Sequence, residues 1–244
     1  MKFAVLGGTG RIGSRIVAAL AADGHTAVPH SRATGLDLST GRGLRAALDG
    51  MDAVIDAAQA PAADATSLDF FRGSATRLAE AAGDAGVRHL VALSIVGVDT
   101  LPDFPYYRAK SEQENILRSG PVPYSLVRAT QFFEYLDEIF SWTTDGDTVR
   151  LPSTPLQPVA AADAARAAAL IAAGPPLQGI REVAGPEVLP LDELGRIVLA
   201  ARGDGRRVVT DDSAGPFAPA PGRRDTAAPG AEIAPTGIRT WLAP

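Results

Sequence analysis

The tightest constraint on how this chain folds lies in its first thirteen residues, which end in Gly7-Gly8-Thr9-Gly10-Arg11-Ile12-Gly13. An apolar run, Phe3 to Leu6, leads straight into glycines spaced G-x-x-G-x-x-G at positions 7, 10 and 13. Ile12, Ile16, Val17 and Leu20 then recur on one face of a helix. Strand, glycine turn and helix in that order make a pyrophosphate cradle. Glycine lets the backbone turn tightly and approach the phosphates, and the helix N-terminus offers unpaired N–H groups at the positive end of its dipole. The glycines alone would also suit an ordinary turn, so the weight rests on the flanking strand and helix.

Composition bounds what can be built around this start. A chain of 244 residues, 46% hydrophobic, fits a single unit with a sizeable core. No apolar run approaches the roughly 18 residues of a membrane span. The first strand begins at once, which predicts no signal peptide. There are no cysteines, so disulfide and thiolate chemistry are excluded, and a cytoplasmic location is expected. A formal charge of −5 provides no global basic field for nucleic acid. His25, His30 and His89 are scattered, and no metal site is expected from them. Of 23 basic residues only Lys2 and Lys110 are lysines. A chain that otherwise uses arginine invites the question of what lysine does at position 110.

The first two-thirds alternates between strand-like and helix-like patterns. Strands are predicted over Phe3–Leu6, Thr26–His30, Leu36-Asp37-Leu38, Ala53–Ala57, His89–Ser94 and Tyr124–Arg128, and helices over Gly43–Leu48, Ser67–Ala85 and Tyr106–Arg118. Gly24 marks the stop of the first helix. Alternation of this kind predicts a doubly wound, Rossmann-type parallel sheet with helices on both faces. Ligands then bind at the carboxyl ends of the strands, so the loops after Leu6, His30, Ala57, Leu93 and Arg128 line one cleft. Pro29 cannot donate to a ladder and is expected near a strand end or a bulge. Further strands are expected at Thr148–Leu151, Arg181–Ala184 and Arg207–Thr210, with helices at Ala161–Ala173 and Leu191–Ala201. Asp211 to Pro235 is rich in Pro, Gly and Ala and reads as a lid, a loop or a poorly ordered segment. The expectation is one domain over 1–244, with a dinucleotide-binding core over 1–130 and a smaller substrate-side region over 131–244.

Gly7, Thr9, Gly10, Arg11, Ile12 and Gly13 make up the loop that would hold a pyrophosphate. The strand after it ends His30-Ser31-Arg32, with no acid to hold a free ribose 2′-hydroxyl. Arg32 fits a 2′-phosphate through its planar fork, and Arg11 could reach the same group. Cleft logic therefore favours NADP(H) over NAD(H); the competing reading is two solvated arginines. Asp37, beside Leu38, either accepts from an adenine amino group or caps a helix. Ala57, Ala58 and Gln59 either pack against a ribose or form a simple turn. Ser94 ends a strand, and Tyr106-Tyr107-Arg108-Ala109-Lys110 supplies Y-x-x-x-K, which puts Tyr106 and Lys110 on one helix face. A phenol is a poor acid–base group at neutral pH, and an adjacent ammonium is expected to lower its pKa. Ser94 would hold a substrate oxygen.

These segments, with Tyr124–Phe133 (YSLVRATQFF), Gln157–Asp163 and Gly185–Leu194, resemble the short-chain dehydrogenase/reductase superfamily in its atypical, NmrA-like NAD(P)-binding branch. The resemblance covers most of residues 1–205. It implies Ser94, Tyr106 and Lys110 as the catalytic set, Lys110 on the nicotinamide ribose, and Thr130, Gln131 and Phe132 beside the nicotinamide. One departure is Phe71, which stands where the superfamily often has Asn. The resulting expectation is an NADPH-dependent oxidoreductase acting on a small carbonyl or flat quinone, with no nucleic-acid or membrane partner. The rival readings are a cofactor-binding redox sensor without turnover and, more distantly, a sugar-nucleotide epimerase.

Overall fold

The computed structural model describes residues 1–61, 64 and 66–243. In chain order the elements are β1 (Lys2–Leu6), α1 (Gly13–Ala22), β2 (Thr26–His30), α2 (Leu44–Leu48), β3 (Ala53–Asp56), α3 (Ser67–Asp84), β4 (His89–Ile95), α4 (Pro105–Arg118) and β5 (Tyr124–Ala129). Then come α5 (Leu136–Ser141), β6 (Thr144–Asp145), β7 (Thr148–Leu151), β8 (Pro155–Leu156), α6 (Ala161–Ala173), β9 (Gly179–Ala184) and β10 (Leu189–Pro190). The chain finishes with α7 (Leu191–Ala201), β11 (Arg207–Thr210), β12 (Glu232–Ile233) and α8 (Ile238–Leu242).

Seven strands form one sheet in the order β12-β9-β5-β4-β3-β1-β2. Every pairing in it is parallel. This is the expected Rossmann-like α/β fold, and both sheet faces are covered. Phe3, Val5, Ile55, Val91 and Val127 point to one face, beneath Ile16 and Leu20 of α1 and the alanine row of α6. Ala4, Leu6, Val54, Leu90 and Leu126 point to the other, against Leu44 and Leu48 of α2, Leu78 of α3 and Leu117 of α4. Strands buried on both faces read as unbroken apolar runs, which is why they are legible. A third apolar cluster joins Leu136, Phe140, Val149, Leu151, Leu156, Leu194 and Val198, all beyond β5 in the chain.

The third strand expected at Leu36-Asp37-Leu38 does not form. Those residues make a turn with one isolated bridge, Asp37 to Arg42. Leu36 and Leu38 alternate because both plug the core under α2 and α3. Arg77 of α3 supplies the partners a strand neighbour would have given, donating to the Leu38 carbonyl at 2.8 Å and the Ser39 carbonyl at 2.7 Å. The sheet therefore ends at β2. Pro29 is the fourth of that strand's five residues, opposite Val5. Thr26 N–H bonds to the Met1 carbonyl, so alternate amides face β1 and position 29 faces the open edge, where no donor is needed.

The Gly24 stop forms as expected, with φ +79° and His25 N–H returning to the Leu20 carbonyl. The 211–235 segment is a string of turns ending in β12, which adds the outermost strand beside β9. Among the described residues no helix is long and apolar enough to cross a membrane, and no group of three or more His, Asp or Glu side chains is placed to hold a metal.

Candidate active site

The carboxyl ends of β1 to β5 open into one cleft of about 840 Å³. Its wall includes Gly7, Thr9, Gly10, Arg11, Ile12, Ser31, Arg32, Asp37, Leu38, Ala57, Ala58 and Gln59. Ser94, Tyr106, Lys110, Thr130, Gln131 and Phe132 line the same space. Gly13 lies outside it and packs beneath the loop. A Cβ there would sit 2.2 Å from the Gly7 carbonyl oxygen, so helix and loop touch through bare backbone. Gly7 has φ +72°, and a Cβ there would meet the Ala57 carbonyl oxygen at 2.7 Å. No side chain caps the N-terminus of α1, so the cradle is left to a ligand.

At the β2 end, Arg32 is exposed, and among the described residues its guanidinium has no hydrogen-bond or ion-pair partner. The nearby Ser31 hydroxyl is buried and unpartnered. Arg11 lines the cleft but is committed elsewhere. It donates to the Glu134 carbonyl at 3.0 Å, and its guanidinium lies 4.5 Å from the centre of the Tyr135 ring. The Asp37 carboxylate accepts from Ser39 N–H at 2.9 Å, which holds its pKa below the ordinary value. It does not cap α2, which starts seven residues later at Leu44.

Ser94 is 4% exposed, and its hydroxyl has no partner. Tyr106 and Lys110 share a face of α4, one turn apart, but they do not act on each other as expected. Burial pushes the Tyr106 phenol above its ordinary pKa, opposed chiefly by a hydrogen bond with the Gln59 side chain. The Lys110 ammonium donates instead to the Leu93 carbonyl at 2.7 Å and to Gln113 Oε1 at 2.5 Å. Burial brings Lys110 down to about 8 against the opposing charges of Asp56 and Glu114. Phe71, fully buried, packs against both side chains. Its ring centre lies 4.6 Å from Lys110 Nζ and 6.0 Å from the centre of the Tyr106 ring.

The glycine cradle, the buried orphan hydroxyls of Ser31 and Ser94 and a free arginine beyond the second strand fit a dinucleotide carrying phosphate. Residues 7–169, well over half of the chain, match the family model described as NAD(P)H-binding. The chain belongs to the NAD(P)H-binding family. A curated relative, (4-alkanoyl-5-oxo-2,5-dihydrofuran-3-yl)methyl phosphate reductase of Streptomyces griseus, is 34% identical over 148 residues. That alignment takes in 57% of this chain, which spans about half (49%) of the relative's length. Among solved structures, a dTDP-4-dehydrorhamnose reductase of Clostridium acetobutylicum superposes with TM-score 0.72 at 17% identity, over 99% of this chain and 91% of that one. A triphenylmethane reductase of Citrobacter sp. complexed with NADP(H) gives 0.65 at 17% identity, over 86% and 79%. At these identities the likeness is one of fold. The fold and the family match agree with the resemblance to the atypical short-chain dehydrogenases.

In this NAD(P)H-binding protein several site groups escape a reading of the sequence. Gln113 relays Lys110 to Asp56, donating to Asp56 Oδ2 at 2.8 Å, and burial raises the Asp56 carboxyl. One face farther on, Arg128 makes a paired contact with Glu114 at 2.9 and 2.7 Å, the two side chains 4% and 2% exposed. Arg128 also reaches Asp99 at 2.9 Å. Its register partner on β9, Glu182, is gripped by Arg224 of the 211–235 segment at 2.8 and 2.7 Å. That segment brings Phe217 and Arg223 to the cleft wall, where Phe217 stacks with Trp142. The Tyr107 phenol also lines the wall, pushed up to about 12 by burial.

Proposed function

We propose that this protein is an NADPH-dependent reductase of a small carbonyl or quinone. The observation that carries the reading is the buried, unpartnered Ser94 hydroxyl in the cleft that Tyr106 and the glycine loop also line. Bound in that cleft, the dinucleotide would supply a hydride. The loop amides and the α1 N-terminus hold its pyrophosphate. Arg32 reads the 2′-phosphate, while Arg11 ties the loop to the substrate side. An ammonium has three donors, and Lys110 uses two inside the protein; the third serves a ribose hydroxyl.

Ser94 orients the substrate oxygen by hydrogen bond. Tyr106 donates a proton to that oxygen as negative charge develops on it. Burial raises its pKa, so the phenol meets the substrate protonated, although as a weaker acid than a solvated tyrosine. A quinone takes its protons from water and does not need Tyr106. Mixing NADPH with a panel of quinones and aldehydes tests the assignment: steady oxidation supports it. Tyr106→Phe is expected to lower carbonyl reduction by about 10²- to 10⁴-fold, read as kcat. Near-normal turnover removes Tyr106 from the mechanism.

Phe71 supports a second reading. An apolar ring packed against both Lys110 and Tyr106 breaks the proton relay, as befits a protein that binds the dinucleotide as a redox sensor. Tight NADPH binding with no turnover across the whole panel would select it.

A further inference from the structure

Assignment as a reductase leaves the substrate open, and the walls of the same cleft narrow it. Eight of the chain's fourteen Phe, Tyr and Trp side chains line this one cavity. On the substrate side they come from separate stretches of chain. Phe132 and Tyr135 follow β5, Trp142 caps α5, and Phe217 arrives with the 211–235 segment. Phe132 and Tyr135 rings lie 5.9 Å apart at 31°. Trp142 and Phe217 are close to parallel, 8° between planes and 6.4 Å between centres. Trp142 is 52% exposed and Phe217 is 9% exposed, so a half-exposed indole on the cleft wall stacks on a buried ring. Flat faces held this way recognise another flat face by offset stacking.

Charge narrows the class further. The cations on the wall are Arg11, Arg32, Lys110 and Arg223. Arg11 is held by Glu134 and Tyr135, and Lys110 by Leu93 and Gln113. Arg223 is neutralised by Asp225 in a pair whose side chains are 7% and 2% exposed, and its guanidinium lies 4.8 Å from the Phe217 ring centre. Arg32 belongs to the cofactor end. Glu138 lines the substrate end, exposed, and among the described residues its carboxylate takes no ion pair. The substrate end thus offers aromatic faces, the Glu138 carboxylate without an ion pair, and Arg11, whose guanidinium is already engaged by the Glu134 carbonyl and the Tyr135 ring. A phosphate or carboxylate entering it would give up water and meet no cation free of protein contacts.

We propose that, on the reductase reading, the substrate end takes flat aromatic carbonyl compounds that carry no negative charge and turns away phosphorylated or carboxylated ones. This class differs from the methyl phosphate ester in the name of the Streptomyces relative.

The test is equilibrium binding to the full chain, with NADP⁺ affinity measured first by calorimetry. Naphthaldehyde and formylnaphthoate share a ring system and differ by one carboxylate. On the NADP⁺-loaded protein, naphthaldehyde is expected to bind at least about tenfold tighter. Trp142→Ala and Phe217→Ala each weaken naphthaldehyde severalfold, to about tenfold, with NADP⁺ affinity unchanged. Glu138→Lys, at an exposed position, narrows the gap between the two aldehydes and keeps the test readable if an aromatic variant fails to fold. Equal affinity for the two aldehydes overturns the proposal, as does indifference of naphthaldehyde to both aromatic variants. In either case NADP⁺ still binds and the cofactor assignment stands. Failure of the wild type to bind NADP⁺ overturns both.

Discussion

Arg32 is an exposed guanidinium with no protein partner, at the point where the second strand delivers the chain to the cleft. Charge-assisted hydrogen bonds of this kind contribute about 1.5–3 kcal/mol, so Arg32→Ala should weaken NADPH by about ten- to a hundredfold. NADH should lose little, and equal losses for both in a titration would show that Arg32 does not read the phosphate. Lys110 gives a pH test. Its folded pKa of about 8 lies below the ordinary 10.5, so between those values the unfolded chain binds the extra proton. Stability attributable to Lys110 therefore rises with pH across that window. The wild-type stability minus that of Lys110→Met, from urea titrations at stepped pH, should climb between pH 8 and 10.5. A flat difference refutes the assignment. NADPH affinity should run the other way, falling as the ammonium is lost above about 8. Tyr106 and Lys110 were legible because helix geometry fixes residues four apart. The Gln113–Asp56 link, 57 positions apart, leaves no periodic trace. Phe71 is visible in the sequence, but its contact with both catalytic candidates is set by how α3 packs on α4.

Helix α4 carries Tyr106 and Lys110 to the cleft wall and is anchored one turn later through Glu114 to Arg128 of β5. Removing one member of so buried a pair leaves the other charge stranded, and Glu114→Ala should cost about 3–5 kcal/mol in urea denaturation. Replacing both, as Glu114→Leu with Arg128→Met, should recover much of that loss. A double variant no better than the single one would mean that Asp99 and Arg118, which also touch the pair, carry the anchoring. Strands and helices buried on known faces announced themselves through local apolar patterns, and α6 and α7 begin and end where expected. The turn at Leu36-Asp37-Leu38 shows the limit. Alternation reports which side chains are buried, whereas a strand also needs a neighbour for its backbone, and here Arg77 took that place.

At the scale of the whole molecule, cofactor binding and folding are linked. At a hundred times its dissociation constant, NADPH should add about 2.7 kcal/mol of stability. For a chain of this size that corresponds to a rise of roughly 5–10 °C in Tm, with a smaller shift from NADH at equal concentration. Identical shifts would contradict the NADP preference. The parallel sheet was readable as a class, but the return of residues 223–228 to grip Glu182 on β9 was not, because no short pattern encodes a contact between positions 42 apart. Phe71 has a consequence at this scale as well. Its ring packs against both the Tyr106 ring and the Lys110 ammonium, while the hydrogen bond of the phenol goes to Gln59 on the cleft wall. On the proposed reductase reading, a proton given up at Tyr106 is refilled from the cleft that Tyr106 and Gln59 both line, the route by which product leaves. Recharging the acid and emptying the site then share one doorway.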